Sequence, residues 1–221
     1  MLGVMILCGV MANGAAAGLL HREIRKNRDQ YKRWKEGKPP SAFWGYSGGM
    51  IALAMGLTIF LYCFYGDNTF LFTVKRVILL ALLWPVAYTD FETMRIPNLF
   101  VAGGLAARVL VLAAELLFER EDLLPAILSE AAASVILFLV AALCALIVKN
   151  SIGGGDMKLF IVMGLFLGLQ GTWGAMFLSL VVSFVIAVVL LVSKKKSRKD
   201  AIPFGPALMI GTYLSIFLTG M

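Results

Sequence analysis

Two aspartates stand at the ends of apolar stretches in local sequence suited to acid–base chemistry. Asp90 closes Trp84-Pro85-Val86-Ala87-Tyr88-Thr89-Asp90 and is followed by Arg95-Ile96-Pro97-Asn98, while Asp156 follows Gly153-Gly154-Gly155. Two carboxylates brought together at the edge of a low-dielectric region cannot easily both ionise, so they share one proton. One is then a base that activates water, and the other an acid that polarises a carbonyl and assists departure of an amine. Nothing in the spacing brings the two side chains together, because they belong to different segments. The plainer reading is that each aspartate caps a helix or sits solvated at a membrane edge.

The elements that must position them are membrane spans. The chain has 221 residues, 60% of them hydrophobic, with a mean hydropathy of +0.88. That is more apolar side chain than a water-soluble domain of this size buries. Stretches of about 20 apolar residues cross a bilayer as helices. Eight candidates follow: 1–20, 43–65, 70–89, 96–117, 125–148, 157–170, 172–193 and 202–221. The fold expected is an all-α polytopic bundle of about eight helices. Six or seven are allowed, since 157–170 is short and 70–89 carries Lys75 and Arg76. Residues 1–20 have no positive charge before their apolar core and a basic block after it, the reverse of a cleavable signal peptide. No repeat, linker or soluble segment divides the chain, so 1–221 reads as one membrane unit: an N-terminal helix with a basic loop over 1–42 and a helix bundle over 43–221.

Alternating crossings put 21–42, 90–95, 149–156 and 194–201 on one side, and with Lys158 that side holds sixteen of the twenty Lys and Arg residues. The net charge of +7 therefore reflects positive-inside orientation rather than nucleic-acid binding, and the face carrying both aspartates should be cytoplasmic. His21–Lys38 and Lys194–Lys199 are its two basic blocks, suited to anionic lipid. Cys8, Cys63 and Cys144 lie in apolar segments with no CxxC pair, so they read as packing residues and no metal site is expected. Arg108, Glu115 and Glu130 fall within or near span ends, where a charge needs a partner or must snorkel to water. Three consecutive glycines before Asp156 permit positive φ and the close approach of another backbone. Pro85, Pro203 and Pro206 should bend their helices.

At these residues the sequence resembles the type IV prepilin peptidases, the bacterial branch of the membrane aspartyl proteases named for a Gly-x-Gly-Asp motif. Tyr88-Thr89-Asp90 with Arg95-Ile96-Pro97-Asn98 is similar to the family's first aspartate motif, Gly153-Gly154-Gly155-Asp156-Met157-Lys158-Leu159 to its second, and Ile202-Pro203-Phe204-Gly205-Pro206-Ala207 to a third segment that opens the last helix. The resemblance implies that Asp90 and Asp156 are the catalytic dyad, with no cofactor or metal. It implies substrates that are prepilins or pseudopilins, cut at the cytoplasmic edge of their hydrophobic segment, typically after a Gly, by an enzyme in the bacterial plasma membrane. Gly153, Gly154, Gly155, Lys158, Glu92, Pro97, Asn98, Pro203, Gly205 and Pro206 are the expected supporting residues. Lys158 could hold a substrate carbonyl or simply snorkel, and Glu92 could attract the basic leader or simply be solvated. Larger family members carry CxxC pairs in a cytoplasmic segment and also N-methylate the cleaved pilin. His21–Ser41 has no cysteine, so peptidase activity without methyl transfer is expected. The rival from another class is a small ion- or proton-coupled transporter using the same two aspartates. A membrane scaffold without enzymatic activity is a second rival.

Overall fold

The computed structural model describes residues 2–31, 41–66, 68–119, 123–147, 152–194 and 201–220. Parts of the two basic blocks (32–38 and 195–199), Arg120 and Lys149 lie outside the described residues. Among the described residues there are seven α-helices: α1 (Leu2–Lys26), α2 (Ser41–Phe64), α3 (Phe70–Thr93), α4 (Asn98–Phe118), α5 (Leu123–Ile147), α6 (Gly154–Val192) and α7 (Gly205–Thr219). The first six are long and apolar enough to cross a membrane, and α7 is a shorter apolar helix. Leu110, Leu117, Leu146, Phe177 and Phe184 are exposed on the outer faces of α4, α5 and α6. An apolar surface of that kind belongs against lipid.

The eight expected stretches are all helical, but the sixth and seventh are joined. α6 has 39 residues, which at 1.5 Å per residue is about 58 Å, nearly twice a hydrocarbon core of about 30 Å. Gly168 interrupts it with φ 65° and ψ −175°, a conformation that only glycine adopts readily. Asp156 and Phe160 before the break and Met176, Leu180 and Ser183 after it border one cavity. In a straight helix residues 156 and 183 would stand about 40 Å apart. The chain therefore folds back at Gly168, and α6 makes two arms, 154–167 and 169–192. The arms wedge closely against their neighbours. A Cβ at Gly164 would strike the Ser134 backbone of α5, and one at Gly211 of α7 would strike the Ser179 backbone of the second arm.

α3 runs through the middle and is buried along most of its length, with Trp84, Leu79 and Leu80 fully enclosed. Buried Asn13 of α1 accepts a hydrogen bond from Trp84 Nε1 at 3.2 Å and donates to its own Gly9 carbonyl at 2.8 Å. Pro85 lies inside α3, where its missing N–H weakens the helix. Tyrosine hydroxyls from two neighbours bond carbonyls near it: Tyr213 of α7 donates to Leu80 at 2.9 Å and Tyr46 of α2 to Trp84 at 3.1 Å. Pro203 and Pro206 bend no helix. Pro206 occupies the first turn of α7 and Pro203 precedes it, so they start the helix rather than kink it.

Lys75 and Arg76, the two charges carried by the stretch 70–89, are only 5% and 3% exposed inside α3. Lys75 Nζ pairs with Glu115 of α4 at 2.8 Å and with Glu130 of α5 at 2.7 Å. Arg108 of α4 pairs with Glu115 at 2.9 Å and with Glu130. The same cations close the break in α6. Arg108 Nε donates to the Leu165 carbonyl at 2.9 Å, and Arg76 donates to Phe166 and, at 3.4 Å, to Leu167. On the other side of Gly168 the Leu169 N–H finds Ser129 Oγ of α5 at 2.9 Å. The carbonyls and the N–H freed by the reversal are thus satisfied by side chains, as they must be at membrane depth.

Replacing Glu130 by Gln leaves two buried cations short of a counter-charge and should destabilise the bundle by roughly 3–5 kcal/mol. Denaturation of the detergent-purified protein measures this. The double variant Lys75→Met with Glu130→Leu should recover a large part of the loss.

Candidate active site

Both aspartates lie at the same end of the bundle, at the start or the last turn of a helix. Asp90 is in the last turn of α3, which closes at Met94 in the left-handed conformation. Its Oδ2 accepts a hydrogen bond from the Gly205 N–H at 2.7 Å, and the Phe204 N–H also faces its carboxylate. These are donors at the start of α7, where N–H groups lack intrahelical partners and a negative charge is favoured. Asp90 thus caps a helix remote in sequence, and the segment 202–206 is drawn onto it. A Cβ at Gly205 would come within 2.9 Å of Asp90 Cβ and Oδ2, so the approach needs a glycine.

Asp156 is in the first turn of α6, three residues after the N-cap Gly153. Its carboxylate turns back onto the Gly153 N–H, the arrangement by which an acid in the third helical position satisfies the cap. Its other oxygen, Oδ1, is buried and makes no hydrogen bond. Asp156 borders the same cavity as Ile202 and Phe204, next to the Gly205 that Asp90 holds, and the ring of Phe160, one turn on from Asp156, meets that of Phe204 edge-on at 6.1 Å. Asp90 lies within electrostatic reach of Asp156. Two acids on separate helices therefore flank one short segment, one of them with an unused acceptor.

The three glycines before Asp156 are not equivalent, and none has positive φ. At Gly155 a Cβ would lie 2.9 Å from Ile96 Cβ and 3.2 Å from the Ile96 carbonyl oxygen, so the extended Arg95-Ile96-Pro97 backbone rests on it. At Gly153 it would meet only the Asp156 carboxylate, and at Gly154 nothing within 4 Å. Pro97 is the N-cap of α4 and Asn98 its first residue. Asn98 Oδ1 accepts from Lys158 Nζ at 2.9 Å, at an exposed position. The structure thus joins the first two motifs through Ile96 on Gly155 and Lys158 on Asn98. The third joins through Gly205 on Asp90.

Glu92 is half-buried one residue beyond the exposed Phe91, and its charge reaches Tyr31. Burial, the Glu23 carboxylate, Tyr88 and Glu92 together hold the Tyr31 phenol well above its ordinary pKa, so it stays a hydrogen-bond donor. The sequence reading missed Ile96, whose backbone fixes the close approach, along with Phe160 and Phe204. Phe204 lies within the third motif, and its position there was the available signal. Among the described residues no group of side chains has the arrangement of a metal site.

A family model described as the type IV leader peptidase family matches residues 77–192, slightly more than half of the chain and including both aspartates. A prepilin leader peptidase/N-methyltransferase of Bacillus subtilis (strain 168) is 32% identical over 142 residues, covering 63% of this chain and 53% of that relative. One of the same description from Legionella pneumophila is 30% identical over 161 residues, covering 69% and 54%. The chain spans about half the length of these curated relatives. No solved structure matches it.

Gly155→Ala should cost about 1–3 kcal/mol of stability through the clash with Ile96, whereas Gly154→Ala, which meets open space, should be neutral or slightly stabilising. Thermal unfolding of the two detergent-solubilised variants side by side checks the contrast.

Proposed function

Because the chain belongs to the type IV leader peptidase family, we propose that it is a membrane aspartyl endopeptidase that removes the short basic leader from prepilins or pseudopilins. Asp90 and Asp156 are its catalytic pair. The observation that carries this reading is the disposition of the two carboxylates. They lie on either side of the α7 start, one held by Gly205, the other with Oδ1 free of protein partners beside a cavity. In the reaction the ionised carboxylate takes a proton from water as its oxygen bonds to the scissile carbonyl carbon. The protonated carboxylate donates to the carbonyl oxygen. Collapse of the tetrahedral adduct breaks the C–N bond, and the amine leaves with a proton supplied by the dyad.

Gly155, Gly205, Pro97 and Pro206 serve as positioning residues, Gly153 bonds the Asp156 carboxylate, and Lys158 with Asn98 ties the first arm of α6 to α4. The active-site end is assigned to the cytoplasmic face of a bacterial plasma membrane. The basic last turn of α1, Arg25 and Lys26, supports that orientation, as do Arg95, just beyond the helix that Asp90 ends, and Lys194, which follows α6. A basic leader would remain on that face while the hydrophobic segment stays in the bilayer. The proposal is confined to peptide hydrolysis, with all of 1–221 acting as one membrane unit. A transporter using the same aspartates is not favoured, because transport sites usually sit nearer the membrane midplane.

Co-expression with a prepilin tests the proposal. The unmodified chain should shorten the prepilin. Asp90→Asn and Asp156→Asn should each lower cleavage by at least about a thousandfold, as loss of either half of an acid–base pair does, while both variants still insert in the membrane. Normal cleavage by either variant removes that residue from the dyad. Asp-dependent ion flux in liposomes without proteolysis would favour the transporter.

A further inference from the structure

Asp90 and Asp156 sit on different helices, and the polar tie between those helices lies far from both. α3 carries Asp90 in its last turn and Arg76 fourteen residues earlier, about 21 Å back along the helix. The first arm of α6 carries Asp156 near its start and Phe166 ten residues later, about 15 Å away. Arg76 donates to the Phe166 carbonyl and, at 3.4 Å, to that of Leu167. Among the described residues, the hydrogen bonds that run between α3 and the first arm all come from this guanidinium. Ser134 of α5 and Arg108 of α4 also bond the arm, at the Ile161 and Leu165 carbonyls, but neither of those helices carries an aspartate of the pair.

Charge balance does not account for Arg76. Glu115 and Glu130 are each paired with both Lys75 and Arg108, two anions and two cations that are neutral as a set. Among the described residues Arg76 forms no ion pair, and its Nε is buried without a hydrogen-bond partner. A third cation in low dielectric costs free energy that an apolar side chain of similar length would not. An ionisable group kept inside a membrane span at such a cost points to function.

We propose that Arg76 is a positioning residue for the peptidase reaction: by bonding the Phe166 and Leu167 carbonyls from α3, it sets how far the first arm stands along α3, and so the height of Asp156 relative to Asp90. The proposal rests on the peptidase reading above. A slip of one residue displaces Asp156 by about 1.5 Å, and a misplacement of about 1 Å costs a reaction about a hundredfold. The planar fork suits this task because it reaches two successive carbonyls at once, whereas an ammonium is a point donor on a flexible stem.

Cleavage of a purified prepilin by the full chain in liposomes tests the assignment, with kcat and KM measured separately and thermal unfolding followed in parallel. Arg76→Met removes the fork and leaves the neutral set intact, so it should unfold much closer to the unmodified chain than Glu130→Gln does. Its kcat should fall about a hundredfold with KM changed by less than about twofold, because substrate still binds while the pair is misplaced. Arg76→Lys keeps the charge and loses the fork, and should lower kcat by about tenfold. It carries the test if Arg76→Met does not fold. Unchanged kcat in a folded variant, or a loss confined to KM, overturns the positioning role and leaves the peptidase reading intact. Failure of both variants to fold also overturns it, since Arg76 would then be required for stability. No cleavage by the unmodified chain overturns both.

Discussion

Three cations and two carboxylates are buried in the apolar bundle at the end remote from the dyad, and the packing of α3, α4, α5 and α6 is organised around keeping each of them paired. Glu115 and Glu130 are each bridged by Lys75 and Arg108, and the positive charge left over is carried by Arg76. Arg76 lies over the Phe72 ring and against carbonyls at the C-terminal end of the first arm of α6, where the helix dipole is negative. Removing one partner from such a set costs far more than any single contact contributes, because an uncompensated charge remains in low dielectric. The helices that carry these charges are therefore fixed relative to one another at that end. The same helices, followed about 15–20 Å along their axes, present Asp90, the Ile96 backbone and Asp156 at the other.

At the functional end the constraints are of a different kind. They are hydrogen bonds to helix N-termini and backbone contacts over glycine, each weak beside a buried ion pair. Asp90 accepts from the first N–H of α7, Asp156 bonds its own N-cap, and Gly155 lets Ile96 lie against α6. A carboxylate capping a helix and a carboxylate activating water need the same things: a fixed rotamer, donors for some lone pairs, and others left open. The capping and catalytic readings of these residues are thus compatible, and Oδ1 of Asp156 is a buried acceptor left open.

Much of this was legible in the sequence because hydropathy reports spans directly. The eight apolar stretches became helices, their ends gather both aspartates on one face, and the glycine run before Asp156 admits another backbone as its composition suggests. Other features rest on partners far along the chain. The reversal at Gly168 falls within a continuous apolar run, and what stabilises it, Arg76 and Arg108, lies 90 and 57 residues from the carbonyls it bonds. Lys75 and Arg76 weaken the span 70–89 in sequence because hydropathy cannot see Glu115 and Glu130 across the bundle. Asp90 bonds Gly205 over a separation of 115 residues. Pro203 and Pro206 looked like helix breakers from composition, yet fixed φ and a missing N–H suit the start of α7 equally well.

Catalysis by a shared-proton pair requires that Asp90 and Asp156 meet in the membrane. The direct measurement is thiol cross-linking in native membranes of a chain whose Cys8, Cys63 and Cys144 are replaced by Ala and whose positions 90 and 156 carry cysteines, with a short bifunctional reagent. The exposed pair 98 and 158, whose native side chains are hydrogen-bonded at 2.9 Å, serves as the positive control. An intramolecular bridge between 90 and 156 at a rate comparable to the control is the predicted result. A bridge in the control with none between 90 and 156 would contradict it.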